Sequence, residues 1–444
     1  MGRMGDISMI ELIFHHDHAQ LPPASETILP VQFYDHSGKG RGDIAIIGSP
    51  KKIVDKIKRL GVQVSAQVID FLSIALAVTA ADTFVQRENS PDGWTRQLLI
   101  HLPLHEPGRW EPLKEKLQKT LHFLSGDMWT FEFTANGFPP PVPYQQNKRF
   151  KLFKLKGKDC VCLFSGGLDS AIGTIDLLAN DYSPLLVSHA YTGDQTYQDK
   201  VAELLTGNYS RLILNAHPVS SNKKTDVSMR TRSFNFLAFG ALGACALQAI
   251  NQLGQVDLFI PENGFISLNA PLTTRRLGTL STRTTHPHFI ESMQEIFNRA
   301  DMPYTIRNPY QFKTKGEMIV ECQNRQLLEK IVHQTVSCSN WKRKSQQCGV
   351  CVPCLIRRSA LFSANLQEET KYMFNKVAGV LNNENKRDDL IALSIAIKQK
   401  DSRDLGTWII DSGPIPIDQF PKFKQIFSRG LDEVKTYLET CDVL

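Results

Sequence analysis

The run Val161-Cys162-Leu163-Phe164 leads straight into Ser165-Gly166-Gly167-Leu168-Asp169-Ser170, and a helical pattern begins at Ala171. Two adjacent glycines let a backbone turn tightly and present its N–H groups. Together with the N-terminus of the following helix, those groups form an anion site. The Ser165 and Ser170 hydroxyls add donors. Asp169 is out of place beside a phosphate unless it orients the loop or helps hold Mg2+ on the phosphates. A Walker A loop would end in Gly-Lys-Ser/Thr, and this one does not. The plain alternative is a Ser/Gly turn that caps a helix.

A second constellation follows downstream. Cys338 precedes, by nine residues, the run Cys348-Gly349-Val350-Cys351-Val352-Pro353-Cys354. Four thiolates at this spacing can close a tetrahedral Zn2+ site with Zn–S near ~2.3 Å, and a filled four-cysteine site keeps no open position, so its role is structural. An iron–sulfur cluster and unligated or reactive thiols are the alternatives. The other five cysteines read as core residues; for Cys322 a sulfur-carrier role competes with a core thiol.

The Ser-Gly-Gly-x-Asp-Ser run resembles the signature of the PP-loop ATP pyrophosphatases, which cleave ATP between the α- and β-phosphates. Combined with the C-x9-C-x2-C-x2-C knuckle and Arg357, it is similar to QueC, the 7-cyano-7-deazaguanine synthase family. Arg230-Thr231-Arg232-Ser233-Phe234-Asn235 is similar to that family's Arg-Asn-Leu helix start. Lys313-Thr314-Lys315-Gly316-Glu317 is similar to its Lys-x-Glu element. The resemblance spans residues 158–362, about half of the chain. It implies a PP-loop fold in which ATP activates the carboxylate of 7-carboxy-7-deazaguanine, with ATP, Mg2+ and Zn2+ as cofactors. It further implies catalytic roles for Asp169, Lys315 and Arg283, and ATP contacts from Ser165, Gly166, Gly167, Leu168, Asp169, Ser170 and Arg232.

The chain also departs from that pattern. Where the family carries its Asp-Tyr-Ser-Gly-Tyr-Pro-Asp-Cys-Arg-type substrate segment, this sequence has Glu262-Asn263-Gly264 and continues through Arg275-Arg276 to Ser281-Thr282-Arg283-Thr284-Thr285-His286-Pro287. It is also much longer. That layout resembles the QueC-like branch of bacterial anti-phage islands, the QatC type of the Qat system. The resemblance implies substrate contacts from Glu262, Asn263, Arg276 and His286, and a protein partner from the same operon. Each of these has a plainer reading: a basic surface loop for Arg275, Arg276, Arg283 and His286, and a helix cap for Glu262 and Asn263. His15-His16-Asp17-His18 reads as a solvated loop rather than a metal site, because neighbouring side chains on a strand alternate faces. Trp341-Lys342-Arg343-Lys344 reads as a solvated tip before an RNA or partner contact.

Three functions compete: a QueC-like enzyme joining a deazaguanine acid to ammonia or a partner's amine, a PP-loop tRNA-modifying enzyme, and a silent ATP-binding scaffold. A thiolase usually needs a further reactive cysteine or cluster site, and only the knuckle is clustered here.

These residues need elements to hold them. The 444-residue chain has 42% apolar and 22% charged residues, a composition that excludes a disordered chain and a disulfide-stapled mini-protein. A net charge of +6 permits nucleic acid as a partner without requiring it. The apolar stretches 68–85 and 236–247 read as buried helices, one carrying two Asp and the other too short for the ~20 residues of a membrane span. With nine cysteines and no visible secretory signal, a cytoplasmic setting is expected.

Expected are an N-terminal α+β domain (1–135), a stiff Pro-rich linker (136–148), a PP-loop domain with the knuckle (149–364), and a helical C-terminal region (365–444). In the N-terminal domain, strands are expected at 32–34, 43–47, 96–102 and 129–133. The PP-loop domain shows strand–helix alternation with continuous apolar strands, the mark of a doubly wound parallel α/β sheet. The N-terminal domain and the tail are expected to dock a protein partner or to serve homo-oligomer contacts.

Overall fold

The computed structural model describes residues 9–34, 44–49, 51–190, 193–220, 225–226, 229–273, 283–339, 341 and 346–444. Among the described residues, ten strands form two five-stranded sheets. The first holds β1 (Ile10–His15), β2 (Ile28–Phe33), β3 (Ala45–Ile47), β4 (Gln97–Pro103) and β5 (Met128–Thr134) in the order β3-β2-β1-β4-β5. All its pairings are parallel, which corrects the α+β expectation. The central strand β1 was absent from the expected strands, and its pattern is that of a sheet covered on one face. Leu12, Ile100 and Phe131 lie in one row on the core side. On the other side His101 sits 3.4 Å from Glu11 and 3.0 Å from Glu132, all three partly or fully exposed. Such alternation usually marks an antiparallel sheet.

The second sheet holds β6 (Cys160–Leu163), β7 (Pro184–His189), β8 (Ser210–Leu214), β9 (Val256–Phe259) and β10 (Tyr304–Arg307) in the order β10-β9-β6-β7-β8, again wholly parallel.

Two apolar helices, Ala66–Phe84 and Arg232–Asn251, pack against each other and against the sheets. By length and composition either could cross a membrane, but both are mostly buried here. Phe71 of one meets Phe234 of the other edge-on, ring centres 5.3 Å apart. Gly240 and Gly243 bring the second helix close to its sheet; a Cβ on Gly240 would lie 2.7 Å from Leu258. One continuous apolar core therefore runs from Leu12 and Phe131 through both helices to Val161, Val187 and Leu258. Each large apolar side chain fully buried there contributes about 1.5–3 kcal/mol.

The proline run does not hold two bodies apart. It lies along the C-terminal edge of the first sheet, where Phe138 stacks on Tyr34 at 4.1 Å and Gly137 N–H donates to the Leu104 carbonyl at 3.0 Å. At the other end, helices Val352–Ser363, Asp388–Gln399, Leu405–Ile410 and Phe420–Glu439 enclose a further core that takes in the four clustered cysteines and Phe265.

Candidate active site

Ser165 lies just beyond β6, the strand at which the order of the second sheet reverses, and Glu262 lies just beyond its neighbour β9. Open parallel sheets bind ligands in the crevice outside the strand ends at such a point. Gly166 has φ +78°, and a Cβ there would lie 2.8 Å from Tyr197, so both conformation and space call for glycine. The Ser165 hydroxyl accepts from Gly167 N–H at 3.3 Å and donates to the Ser170 hydroxyl at 3.2 Å. Ser170 in turn donates to the Gly167 carbonyl at 3.0 Å. Gln198 holds the Ser165 carbonyl (3.3 Å), and Val336 N–H holds that of Gly166 (3.2 Å). Leu168 opens the Leu168–Ala179 helix and is buried in the core beneath the loop.

Asp169, which sequence places on a turn, is buried. Its Oδ2 accepts from Asn263 Nδ2 at 2.7 Å and from Asn263 N–H at 3.1 Å, and its Oδ1 pairs with Lys315 Nζ. Burial opposes ionisation of Asp169. The Lys315 charge and hydrogen bonds from Glu262, Lys315 and Asn263 outweigh it and hold the carboxyl below its usual range. Glu262 is pushed the opposite way, well above the ordinary carboxyl value, by burial and then by the Asp169 charge. The two carboxyls share a hydrogen bond, in which a protonated Glu262 is the donor and the Asp169 carboxylate the acceptor. Both Asp169 oxygens are engaged by protein donors, as an orienting carboxylate requires.

Local sequence explains how these partners arrive. Asn308 clamps the Glu262 backbone, with Oδ1 accepting from its N–H (3.3 Å) and Nδ2 donating to its carbonyl (2.9 Å). Asn263 both caps and contacts: Oδ1 accepts from Ile266 N–H at 3.0 Å while Nδ2 reaches Asp169. Lys315 is the first residue of the Lys315–Val320 helix, behind a Thr314/Glu317 capping box.

The cleft beside this cluster, reached by Glu262 while Asp169, Asn263 and Lys315 stand behind its lining, measures about 1590 Å³, more than the roughly 300–1000 Å³ of a pocket for one small ligand. Ser165, Ser170 and Glu262 line its floor, Trp94 brings in the first sheet's side, and Phe427 the C-terminal helix. Arg232 also faces the cleft, donating to Asp194 at 3.1 Å.

Other expected site residues lie elsewhere. Arg283 donates to the Phe123 carbonyl at 2.6 Å, with its guanidinium 4.6 Å from that ring's centre. His286 is fully buried as the cap of the Pro287–Arg299 helix, its Nδ1 accepting from His288 N–H and its Nε2 3.1 Å from the Ser412 hydroxyl. Burial pushes its pKa down to about 3, so it is neutral. Neither is brought to Asp169; the intervening Thr284 and Thr285 face the cleft instead. Arg275, Arg276 and Lys342–Lys344 lie outside the described residues. His15, expected in a loop, ends β1, and its Nδ1 accepts from Asp17 N–H just beyond the strand at 2.9 Å; Cys322 is a core thiol raised to about 12 by burial.

Cys338, Cys348, Cys351 and Cys354 are buried, with all four sulfurs within 4.8 Å of one another. The Cys348–Cys354 and Cys338–Cys351 sulfur separations are 3.9 and 4.0 Å, close to the ~3.8 Å edge of a tetrahedron with Zn–S of ~2.3 Å. Cys348 N–H points to Cys338 Sγ at 3.2 Å and Cys351 N–H to Cys348 Sγ at 3.3 Å, as suits bound thiolates. The donor set fits zinc. Arg357 is likewise structural: wholly buried, it pairs with Glu368 (2.7 Å) and donates to Thr335 Oγ1 (2.6 Å).

Two contributors escaped sequence reasoning. Asn308 has no motif around it. Glu433, on the Phe420–Glu439 helix, accepts from the Thr314 hydroxyl and Gly316 N–H and carries no local signal either, although the Thr-x-x-Glu capping box beside it is readable at Thr314–Glu317.

Residues 284–365 match the family model of the queuosine biosynthesis protein QueC. The stretch runs from the Thr284–Thr285 wall of the cleft through Lys315 to the cysteine knuckle and its following helix, and over it the chain is QueC-like. It covers under a fifth of the sequence, and Ser165–Ser170 lie upstream of it. No curated protein matches the chain.

Proposed function

We propose that this protein is a QueC-like, ATP-dependent carboxylate-activating enzyme, acting on 7-carboxy-7-deazaguanine or a similar 7-deazapurine acid. The observation that carries this reading is the Asp169–Lys315–Asn263 constellation. It joins the glycine loop, the end of β9 and the QueC-matched segment at the reversal point of a parallel sheet. The acid's carboxylate oxygen attacks the α-phosphorus of ATP; the bond to the bridging oxygen breaks, and pyrophosphate leaves on the loop formed by Ser165–Ser170. A nitrogen nucleophile then attacks the acyl carbon, AMP departs, and the amine proton passes to solvent or a nearby carboxylate. Cys338, Cys348, Cys351 and Cys354 would hold a structural zinc, and Mg2+ bound with ATP would offset the charge of the phosphates.

The nucleophile is ammonia or an amine of a partner protein. The Glu262-Asn263-Gly264 and Ser281–Pro287 segments, which resemble the anti-phage QatC branch, support the second choice and a role in bacterial defence. A cleft larger than one ligand needs is consistent with two reactants.

The test is pyrophosphate release by the full chain with ATP, Mg2+ and 7-carboxy-7-deazaguanine, with tRNA in a parallel arm and product masses recorded. Release that depends on the acid is expected. Release with tRNA alone, or with no acid at all, overturns the reading.

A further inference from the structure

The turn that carries Lys315 is held from outside the QueC-matched segment. Glu433, on the Phe420–Glu439 helix, accepts through Oε2 from the Thr314 hydroxyl at 2.6 Å and from Gly316 N–H at 3.1 Å. The same N–H lies 3.3 Å from its Oε1. A Cβ on Gly316 would fall 2.3 Å from Glu433 Oε2, so the carboxylate comes this close only because position 316 is glycine. One turn earlier on the same helix face, Arg429 donates to Glu317 Oε1 at 2.7 Å and to the Phe312 carbonyl at 2.8 Å. The two side chains bracket residues 312–317 with Lys315 between them.

We infer that Glu433 is a positioning residue for Lys315: by holding Thr314 and Gly316, it sets where the lysine stem begins and so where its ammonium meets Asp169. This rests on the proposed activity only in giving Lys315 a role in turnover. Burying a carboxyl is costly unless it is hydrogen-bonded, and here the donors that satisfy it come from the residues on either side of Lys315. A lysine stem is flexible, and its reach to Asp169 depends on a fixed root. Misplacing a site group by about 1 Å costs on the order of 100-fold in rate.

The experiment compares E433A and E433Q with the wild-type chain on two readouts: pyrophosphate release, and mass-spectrometric labelling of Lys315 by an amine reagent under native conditions. E433A is expected to label several-fold faster at Lys315 and to lose roughly 10- to 100-fold in kcat, with KM for the acid changed less. E433Q keeps an acceptor for both donors and should restore labelling and kcat to within about 3-fold of wild type. Should E433A fail to fold, E433D, which shortens the reach by one methylene, is expected to give intermediate labelling.

Unchanged Lys315 labelling in E433A or E433D overturns the inference, as does faster labelling with undiminished kcat. Equal loss in E433A and E433Q also overturns it. If the wild type releases no pyrophosphate, the proposed activity fails, and the labelling comparison alone decides whether Glu433 anchors Lys315.

Discussion

Asp82, on the Ala66–Phe84 helix, caps the helix that opens the cleft: its Oδ2 accepts from Thr231 N–H at 3.0 Å and from the Thr231 hydroxyl at 2.9 Å. Its other oxygen pairs with Arg96 at 2.7 Å, and Arg96 and Arg87 both pair with Asp127 at 2.7 Å, all buried. Thr231 immediately precedes Arg232 and Ser233, which face the cleft. The first sheet's helix thereby fixes the start of a site wall that the second sheet alone would leave uncapped.

Asp82→Ala should destabilise the protein by about 3–5 kcal/mol, because it removes the cap and leaves Arg96 short of a buried carboxylate. Chemical denaturation measures the loss. A change below about 1 kcal/mol would show that the network contributes little.

Deleting residues 1–146 should yield aggregated or unfolded protein rather than a smaller enzyme. The deletion uncovers the Arg232–Asn251 helix, whose apolar face packs on the Ala66–Phe84 helix. Size-exclusion chromatography and circular dichroism read the outcome; a monodisperse, folded fragment would contradict the shared core.

Asp169→Asn keeps the shape of the side chain but removes the charge facing Lys315. Pyrophosphate release is expected to fall more than ~100-fold, and stability by a few kcal/mol because a buried lysine loses its counter-charge. Activity within a few-fold of wild type would remove Asp169 from the site.

Cys351→Ser, or a strong chelator, should lower the melting temperature, since structural zinc contributes folding free energy directly. Elemental analysis of the intact protein should find about one zinc per chain. Because Val336 N–H holds the Gly166 carbonyl close to the knuckle, ATP affinity should weaken in parallel. A metal-free preparation with unchanged melting would exclude this role.

Glu433 makes stability depend on pH. Burial raises its pKa from 4.5 to about 7, against hydrogen bonds from Thr314 and Gly316, with Glu317 adding to the rise and Lys315 opposing it; Arg429 on its own helix faces Glu317. The folded protein then holds a proton that the unfolded chain has released, so this contribution is complete below pH 4.5 and is lost as pH rises through about 7. Relative to wild type, E433Q should gain melting temperature between those pH values and keep the gain above them. Parallel pH–melting curves for the two proteins would count against a protonated Glu433.

Much of the site's local geometry is legible in the residues themselves. The Ser165–Ser170 loop, its glycine with positive φ, the four-cysteine knuckle and the Thr314–Glu317 cap each depend on residues within a few positions, where sterics and short hydrogen bonds act. The centre of the second sheet is legible for a related reason: β6 and β7, buried throughout, read as apolar runs. The first sheet is less so, because its central strand β1 and edge strand β5 alternate as one-faced strands do, and alternation does not reveal the direction of a neighbour.

What tertiary structure alone decided is which distant groups meet. Asp169 reaches Asn263 across 94 positions and Lys315 across 146, and Thr314 reaches Glu433 across 119. It also decided that Arg283 and His286, cationic and metal-capable by type, are engaged by Phe123 and Ser412. Sequence by itself determines which side chains are able to hold a charge, a proton or a metal. Which of them are buried together, and so which charges must be paired and which protons kept, is set only when the two sheets close on their shared helices and exclude water.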